Sequence, residues 1–223
     1  MDLHKVIEHT LLKPDCTLDS IHRLCDEALQ YSFYGVCVPP YFVRDAVRFL
    51  NEQAKVITVV GFPMGYSTIP SKVEEIKRAL DEEANEIDAV VNICAIKSGN
   101  WNYVKNEIDS MMRAVSMKGK IMKLIIETGL LTKSEMKLVI EIAEANDVHF
   151  IKTSTGFNAD GATVEIVKFI RDNLKPKIKI KASGGIKSLE MAEKLIIAGA
   201  DRIGTSNGVQ IAMQKNEKQF KKN

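Results

Sequence analysis

The stretch KIKIKASGGIKSLEMAEKLIIAGADRIGTS, Lys177 to Ser206, carries the pattern that decides the fold. Its first part, "KIKIKAS" (177–183), alternates charged and apolar residues, which is the period of a β-strand. The run breaks at Gly184–Gly185. Leu189, Ala192, Leu195 and Ile196 then recur at the spacing of one helix face. Gly199 stands where that helix should stop, and "DRIGTS" (201–206) begins a second β-rich run. Strand, helix and strand in close succession imply parallel strands joined by a crossover.

The same unit recurs upstream. Short runs rich in Val, Ile and Thr are "YGVCV" (34–38), "KVITVVGF" (55–62), "EIDAVVNI" (86–93), "IMKLIIET" (121–128) and "VHFIKTST" (148–155), with "IEHTLL" (7–12) as a short first member. Helical stripes fill the gaps: Ile21, Leu24, Cys25, Ala28 and Leu29; Val43, Ala46, Val47 and Leu50; Val73, Ile76 and Leu80; Val104, Ile108, Met111, Met112 and Val115; Met136, Val139, Ile140 and Ala143. The segment 162–170 is a weaker stripe. Ser71 with Glu74 and Thr132 with Glu135 read as capping boxes. Gly35 and Gly119, like Gly199, read as helix stops. The methionines in these stripes read as core packing.

About eight such units at a period of roughly 25–30 residues predict a single (β/α)8 barrel spanning 1–223, near the compact end of that fold's ~200–400 residue range. The competing open doubly wound sheet would normally carry a Gly-rich phosphate loop after its first strand, and neither G-x-G-x-x-G nor a Walker lysine motif is present.

Composition narrows the function. The 223 residues are 45% hydrophobic and 27% charged, with a formal net charge of +2 and the two signs interspersed. That argues against a nucleic-acid surface, which needs a clustered basic stripe. The tail "KNEKQFKKN" reads as a solvated helix end. Cys16, Cys25, Cys37 and Cys94 form no C-x-x-C pair and share no zinc-ligand spacing with a histidine, so they are expected as reduced thiols in a cytoplasmic protein. No signal peptide and no membrane span are expected.

In such a barrel the chemistry sits at the C-terminal ends of the strands. Polar residues there are Thr10, Cys37, Asp88, Asn92, Glu127, Thr128, Lys152, Thr153, Lys181, Ser183, Thr205 and Ser206. Lys152 and Lys181 end consecutive strands, which lie ~4.8 Å apart. A lysine inside a barrel needs a role or a counterion. A free lysine titrates near ~10.4, so its amine is almost wholly protonated at neutral pH. A neighbouring cation and partial desolvation favour the neutral, nucleophilic form. Lys181 is thus read as the group that makes Lys152 a nucleophile. Lys177 is read as solvated at the barrel's other end, and Lys179 as pointing inward without an evident role. Asp88 shares a face with Val90 and Asn92. It reads equally as counterion and proton shuttle or as half of a structural ion pair. Gly184 and Gly185, and "GTSNG" (204–208) opening a helix after the last strand, form a candidate phosphate site.

With these residues in place, the chain resembles the 2-deoxy-D-ribose-5-phosphate aldolases, class I Schiff-base enzymes. The matching segments run in order from 7 to 209: "IEHTLLKPD", "GVCV", "VVGFPMG", "EIDAVVNICAIKSGNW", "KLIIETGLL", "FIKTSTGF", "IKASGGI" and "RIGTSNGV". The resemblance implies reversible cleavage of 2-deoxyribose 5-phosphate to acetaldehyde and glyceraldehyde 3-phosphate. It implies Lys152 as the Schiff-base lysine, Lys181 as the second lysine and Asp88 as the acidic partner of a proton relay. Gly184, Gly185, Ser206 and Asn207 are implied to hold phosphate, with Thr155 and Gly156 nearby and Cys37 as a pocket contact. It implies no metal or other cofactor, small phosphorylated substrates, neither nucleic acid nor membrane as a partner, and a homodimer or homotetramer. The chain departs from the family pattern at Glu8, where aspartate is common, and at Pro39, Lys179 and Asn207, and its tail lacks the tyrosine of some members.

Three rival readings remain at this stage. A sugar-phosphate isomerase would use a carboxylate base such as Glu127. A metal-dependent aldolase would need clustered histidines, whereas His4, His9, His22 and His149 are scattered. A non-catalytic barrel could bind sugar phosphates without turning them over.

Overall fold

The computed structural model describes residues 2–220. Eight parallel strands close into a barrel in chain order: β1 (Ile7–Thr10), β2 (Gly35–Val38), β3 (Lys55–Val60), β4 (Glu86–Val90), β5 (Ile121–Ile125), β6 (Phe150–Lys152), β7 (Lys179–Ser183) and β8 (Arg202–Thr205), with β8 paired back to β1. The helices between them are α1 (Leu18–Gln30), α2 (Val43–Leu50), α3 (Ile69–Asp81), α4 (Ile93–Lys97), α5 (Trp101–Ser116), α6 (Lys133–Ala145), α7 (Val164–Asn173), α8 (Leu189–Ile197) and α9 (Gly208–Phe220). The (β/α)8 barrel read from the alternation is the observed fold.

The main core lies between sheet and helices. The stripes expected for α1, α5 and α6 are the buried faces of those helices: Ile21, Leu24, Cys25 and Ala28; Val104, Ile108, Met111, Met112 and Val115; Met136, Val139, Ile140 and Ala143. A strand covered on both faces reads as a continuous apolar run, and β2 is buried along its whole length. A second, small apolar cluster of Cys37, Ile57 and Val59 lies apart from that core, with Leu12, Tyr34 and Phe62 packed against it. No helix among the described residues is long and apolar enough to cross a membrane.

Several boundaries shift. The strands expected over 86–93, 121–128 and 148–155 end at Val90, Ile125 and Lys152. Val91, Ile126 and Thr153 still each donate one backbone hydrogen bond to the neighbouring strand, and the chain then turns away. Asn92 accepts from Ala95 N–H and caps α4, and Glu127 turns left-handed at φ 52°. The capping box at Thr132 and Glu135 forms. The one expected at Ser71 and Glu74 does not: α3 begins at Ile69 behind Thr68, with Pro70 in its first turn, where a missing N–H costs nothing. Ser71 instead shares a hydrogen bond with Thr68. Gly35 is no helix stop. It opens β2, where a Cβ would lie 2.2 Å from the Lys55 carbonyl oxygen. The tail belongs to α9 as far as Phe220, and its last three residues lie outside the described ones.

Candidate active site

Strand alternation sends every second side chain into the barrel, and in this chain the interior is divided. β2 and β3 line one side with Cys37, Ile57 and Val59. The other strands supply charge: Glu8 from β1, Glu86 and Asp88 from β4, Lys123 from β5, Lys152 from β6, Lys181 from β7 and Arg202 from β8, all buried. The register sets Asp88 opposite Lys123, Lys152 opposite Lys181, and Lys181 opposite Arg202.

Asp88 is the hub. Its Oδ1 accepts from Lys123 at 3.0 Å. Its Oδ2 accepts from both Lys152, at 2.9 Å, and Lys181, at 2.6 Å. Lys181 also donates to Glu8 Oε2, and Arg202 donates to Glu8 Oε1 at 3.1 Å. Lys123 pairs with Glu86, which also accepts from the Tyr34 hydroxyl. Gly204 makes room for this arrangement, because a Cβ there would lie 2.8 Å from Lys181 Cε.

The electrostatics follow from burial and charge count. Burial alone would raise the Asp88 carboxyl, but Lys123, Lys152 and Lys181 outweigh it and hold the group well below the usual carboxylate range. Burial would likewise favour neutral Lys181, yet Asp88 and Glu8 prevail and push its ammonium above the usual lysine value. Lys181 is therefore a fixed cation. Four cations (Lys123, Lys152, Lys181 and Arg202) face three carboxylates (Glu8, Glu86 and Asp88), so the cluster carries one positive charge in excess.

Above Lys152 opens a cavity of about 330 Å³. Lys152 lines its floor, and Lys181 and Asp88 lie beneath. Gly156, Gly184, Gly185, Ser206 and Asn207 come together around it, with Leu11, Leu12, Phe157 and Ile186 as apolar wall and Lys13 and Lys187 at the rim. Gly184 and Gly185 both have positive φ, 88° and 72°, a backbone that turns amides toward a ligand. The amides of Gly156 and Gly185 meet no backbone acceptor among the described residues.

Two expected contacts sit differently. Cys37 is fully buried in the inner apolar wall and does not line the cavity. Burial pushes its thiol up to about 11, against the pull of Lys181, so it stays protonated. Thr155 lines the cavity, but its N–H and O–H both donate to Glu127. Lys179 faces inward as the alternation implies, but at the opposite, open end of the barrel, where it is exposed with its ammonium 5.7 Å from the centre of the Phe150 ring. Lys177 is exposed and paired with Asp147. Strand-end reasoning missed Lys123, Glu86 and Arg202, which lie deeper in the barrel. A lysine inside the apolar run "IMKLII" was the available signal. It also missed the rim lysines, which follow the strands in loops. Among the described residues no three His, Cys, Asp or Glu side chains converge as a metal site would require.

The family model for DeoC/LacD family aldolases matches residues 4–214. The chain belongs to the DeoC/LacD aldolase family. A deoxyribose-phosphate aldolase of Thermococcus gammatolerans is 47% identical over 214 residues, covering 95% of each chain. One from Clostridium kluyveri is 44% identical over 215 residues, covering 96% of this chain and 98% of that one. Among solved structures, an aldolase designated QR15 superposes with a TM-score of 0.93 at 38% identity, covering 99% of this chain and 98% of that chain. A deoxyribose phosphate aldolase of Aeropyrum pernix, described as having a unique tetrameric structure, gives 0.91 at 28% identity and covers 96% and 91%. Family membership accounts for the extent of the likeness: it runs through every strand of the barrel, including those that carry Lys152 and Lys181.

Proposed function

We propose that this aldolase reversibly cleaves 2-deoxy-D-ribose 5-phosphate to D-glyceraldehyde 3-phosphate and acetaldehyde through an imine on Lys152. One observation carries the reading: Lys152 lies at the cavity floor and shares a single carboxylate oxygen of Asp88 with a second, locked lysine. Lys181, pinned by Glu8 and Asp88 below the floor, cannot compete as nucleophile. The family names and the glycine-lined far end of the cavity support the substrate.

The neutral Lys152 amine attacks C1 of the open-chain aldehyde, loss of water gives the imine, and a proton taken up from water in the cavity makes it the protonated imine. That cation stands where the ammonium stood, so Asp88 keeps its partner. The C3 hydroxyl gives up its proton, the C2–C3 bond breaks, and its electron pair moves into the imine to form an enamine. C3 leaves as the aldehyde carbon of glyceraldehyde 3-phosphate. Protonation of the enamine at C2 and hydrolysis release acetaldehyde and restore Lys152. Asp88, held ionised beside the fixed Lys181 cation, orients the water that carries protons to and from the substrate. The phosphate is taken by the Gly184–Gly185 turn, Ser206, Asn207 and the start of α9, with Lys187 and Lys13 adding positive charge. Gly156 contributes from the neighbouring loop.

An isomerase using Glu127 as base is less well supported, because both carboxylate oxygens of Glu127 are engaged by Thr155 and Asn158. We further propose a homodimer or homotetramer, by analogy with the tetrameric Aeropyrum structure. A cytoplasmic setting is supported by the free thiols of Cys16, Cys25, Cys37 and Cys94. The test is release of acetaldehyde from 2-deoxyribose 5-phosphate, followed by NADH oxidation with alcohol dehydrogenase. Turnover that survives chelator and disappears in Lys152→Ala supports the reading. Turnover that persists in Lys152→Ala contradicts it.

A further inference from the structure

Glu127 is a fully buried carboxylate that the chemistry above leaves unused. It stands just past β5 with left-handed backbone, φ 52° and ψ 63°. A non-glycine residue holds that conformation only when its surroundings enforce it. The enforcing contacts come from the loop between β6 and α7. Thr155 N–H donates to Oε1 at 3.1 Å, and the Thr155 hydroxyl donates to Oε2 at 2.5 Å. Asn158 Nδ2 donates to the same Oε2 at 3.2 Å and to the Pro63 carbonyl at 2.8 Å. Thr155 Oγ1 in turn accepts from Phe157 N–H at 3.1 Å.

Thr155 therefore spends both its donors on Glu127 and has none for substrate. Its effect is to set the next residue, Gly156, against the cavity. The same loop then locks the phosphate turn. Ala162 N–H donates to the Ser183 and Gly184 carbonyls, at 3.0 and 3.3 Å. A Cβ on Gly161 would lie 2.0 Å from the Gly184 carbonyl oxygen, so the two backbones touch directly.

We propose that Glu127 is a positioning residue for the phosphate end of the site: its carboxylate clamps Thr155 and Asn158 and so sets the β6–α7 loop against the Gly184–Gly185 turn. The proposal rests on the phosphate reading given above. Glu127→Gln tests it, because an amide nitrogen at the Oε2 position cannot accept from Thr155 and Asn158. The readout is the ratio of kcat/KM for 2-deoxyribose 5-phosphate to that for unphosphorylated 2-deoxyribose. The ratio is expected to fall about tenfold, mainly through KM of the phosphorylated substrate, as loss of a charge-assisted hydrogen bond would give. Thr155→Val should reproduce the fall and Thr155→Ser should restore the unsubstituted ratio. If Glu127→Gln does not fold, Thr155→Val and Asn158→Ala probe the same bonds from the loop side. Equal losses on the two substrates, as a merely structural role would give, overturn the proposal. An unsubstituted enzyme without preference for the phosphorylated sugar overturns the phosphate reading and the proposal together. A preference that survives Glu127→Gln overturns the proposal alone.

Discussion

Lys181→Met removes one buried charge and nearly preserves side-chain length. Lys181 and Lys152 donate to the same Asp88 oxygen at 2.6 and 2.9 Å. Their nitrogens therefore stand no further apart than the sum of those distances, about 5.5 Å. At an effective dielectric constant of ~20, two like charges at that separation repel by about 3 kcal/mol, a factor of roughly 100 in equilibrium. The charge count works in the same direction. Without Lys181, three cations face three carboxylates, and a neutral Lys152 would leave the cluster one charge short. If that repulsion aids catalysis, kcat/KM at neutral pH is expected to fall by roughly 100-fold. The assay is the pH profile of kcat/KM from about pH 6 to about pH 10. An effect that acts through charge recovers as pH rises, because hydroxide removes the proton that Lys181 no longer repels. Activity within about twofold of the unsubstituted enzyme at neutral pH would refute the reasoning, since it would place the ~3 kcal/mol repulsion nowhere. A loss of equal size at every pH would reassign Lys181 to proton transfer alone.

Gly204→Ala places a methyl 2.8 Å from Lys181 Cε and 3.2 Å from Ser183 Cβ. It should displace Lys181 from Asp88 and lower kcat by tenfold or more while costing about 1–3 kcal/mol of stability; an unchanged kcat would contradict it. Ser206→Asp adds a negative charge at the phosphate end and should raise KM for 2-deoxyribose 5-phosphate about tenfold or more, with a smaller effect on unphosphorylated 2-deoxyribose. Equal effects would move the anion elsewhere. Outside the barrel, Lys72 donates to the Gly65 and Val90 carbonyls, both at 2.6 Å, and to Glu107 at 2.7 Å. Lys72→Met leaves the Glu107 charge buried alone and should cost about 3–5 kcal/mol, or roughly 6–20 °C in Tm. Lys72→Met with Glu107→Leu should recover most of that, and a single variant melting within about 2 °C of the unsubstituted protein would be inconsistent with it. Asp88, depressed in the folded state, contributes stability at pH above its unfolded value of ~3.9, and that contribution is lost only as pH falls through the lower folded value. A carboxyl ¹³C titration should therefore show Asp88 still ionised at about pH 4; a midpoint at or above that pH would oppose the claim.

The barrel was legible because its strands and helices alternate strictly, and because apolar residues fall at the two periods those elements require. Strand ends were less legible. Asn92 and Glu127 extend β-like runs, yet one caps a helix and the other turns left-handed, and neither outcome is a matter of local composition. Lys152, Lys181 and Asp88 could be found because polar side chains at barrel strand ends are few. Their setting could not. Whether Lys123 in mid-strand, or Arg202 at the start of β8, points inward to share Asp88 and Glu8 depends on how the strands pair. Consecutive lysines suggested mutual repulsion. The fold instead places the Asp88 carboxylate between them, with Glu8 two strands beyond Lys181 round the barrel. The family resemblance implies Thr155 near the phosphate residues, and only the placement of Glu127 explains where its donors go.

The central claim is that Lys152 forms the imine and Lys181 does not. Borohydride reduction in the presence of acetaldehyde, followed by peptide mass spectrometry, tests it directly. A two-carbon ethyl adduct on Lys152 is the expected result. An adduct on Lys181, or none on a folded protein, would contradict it.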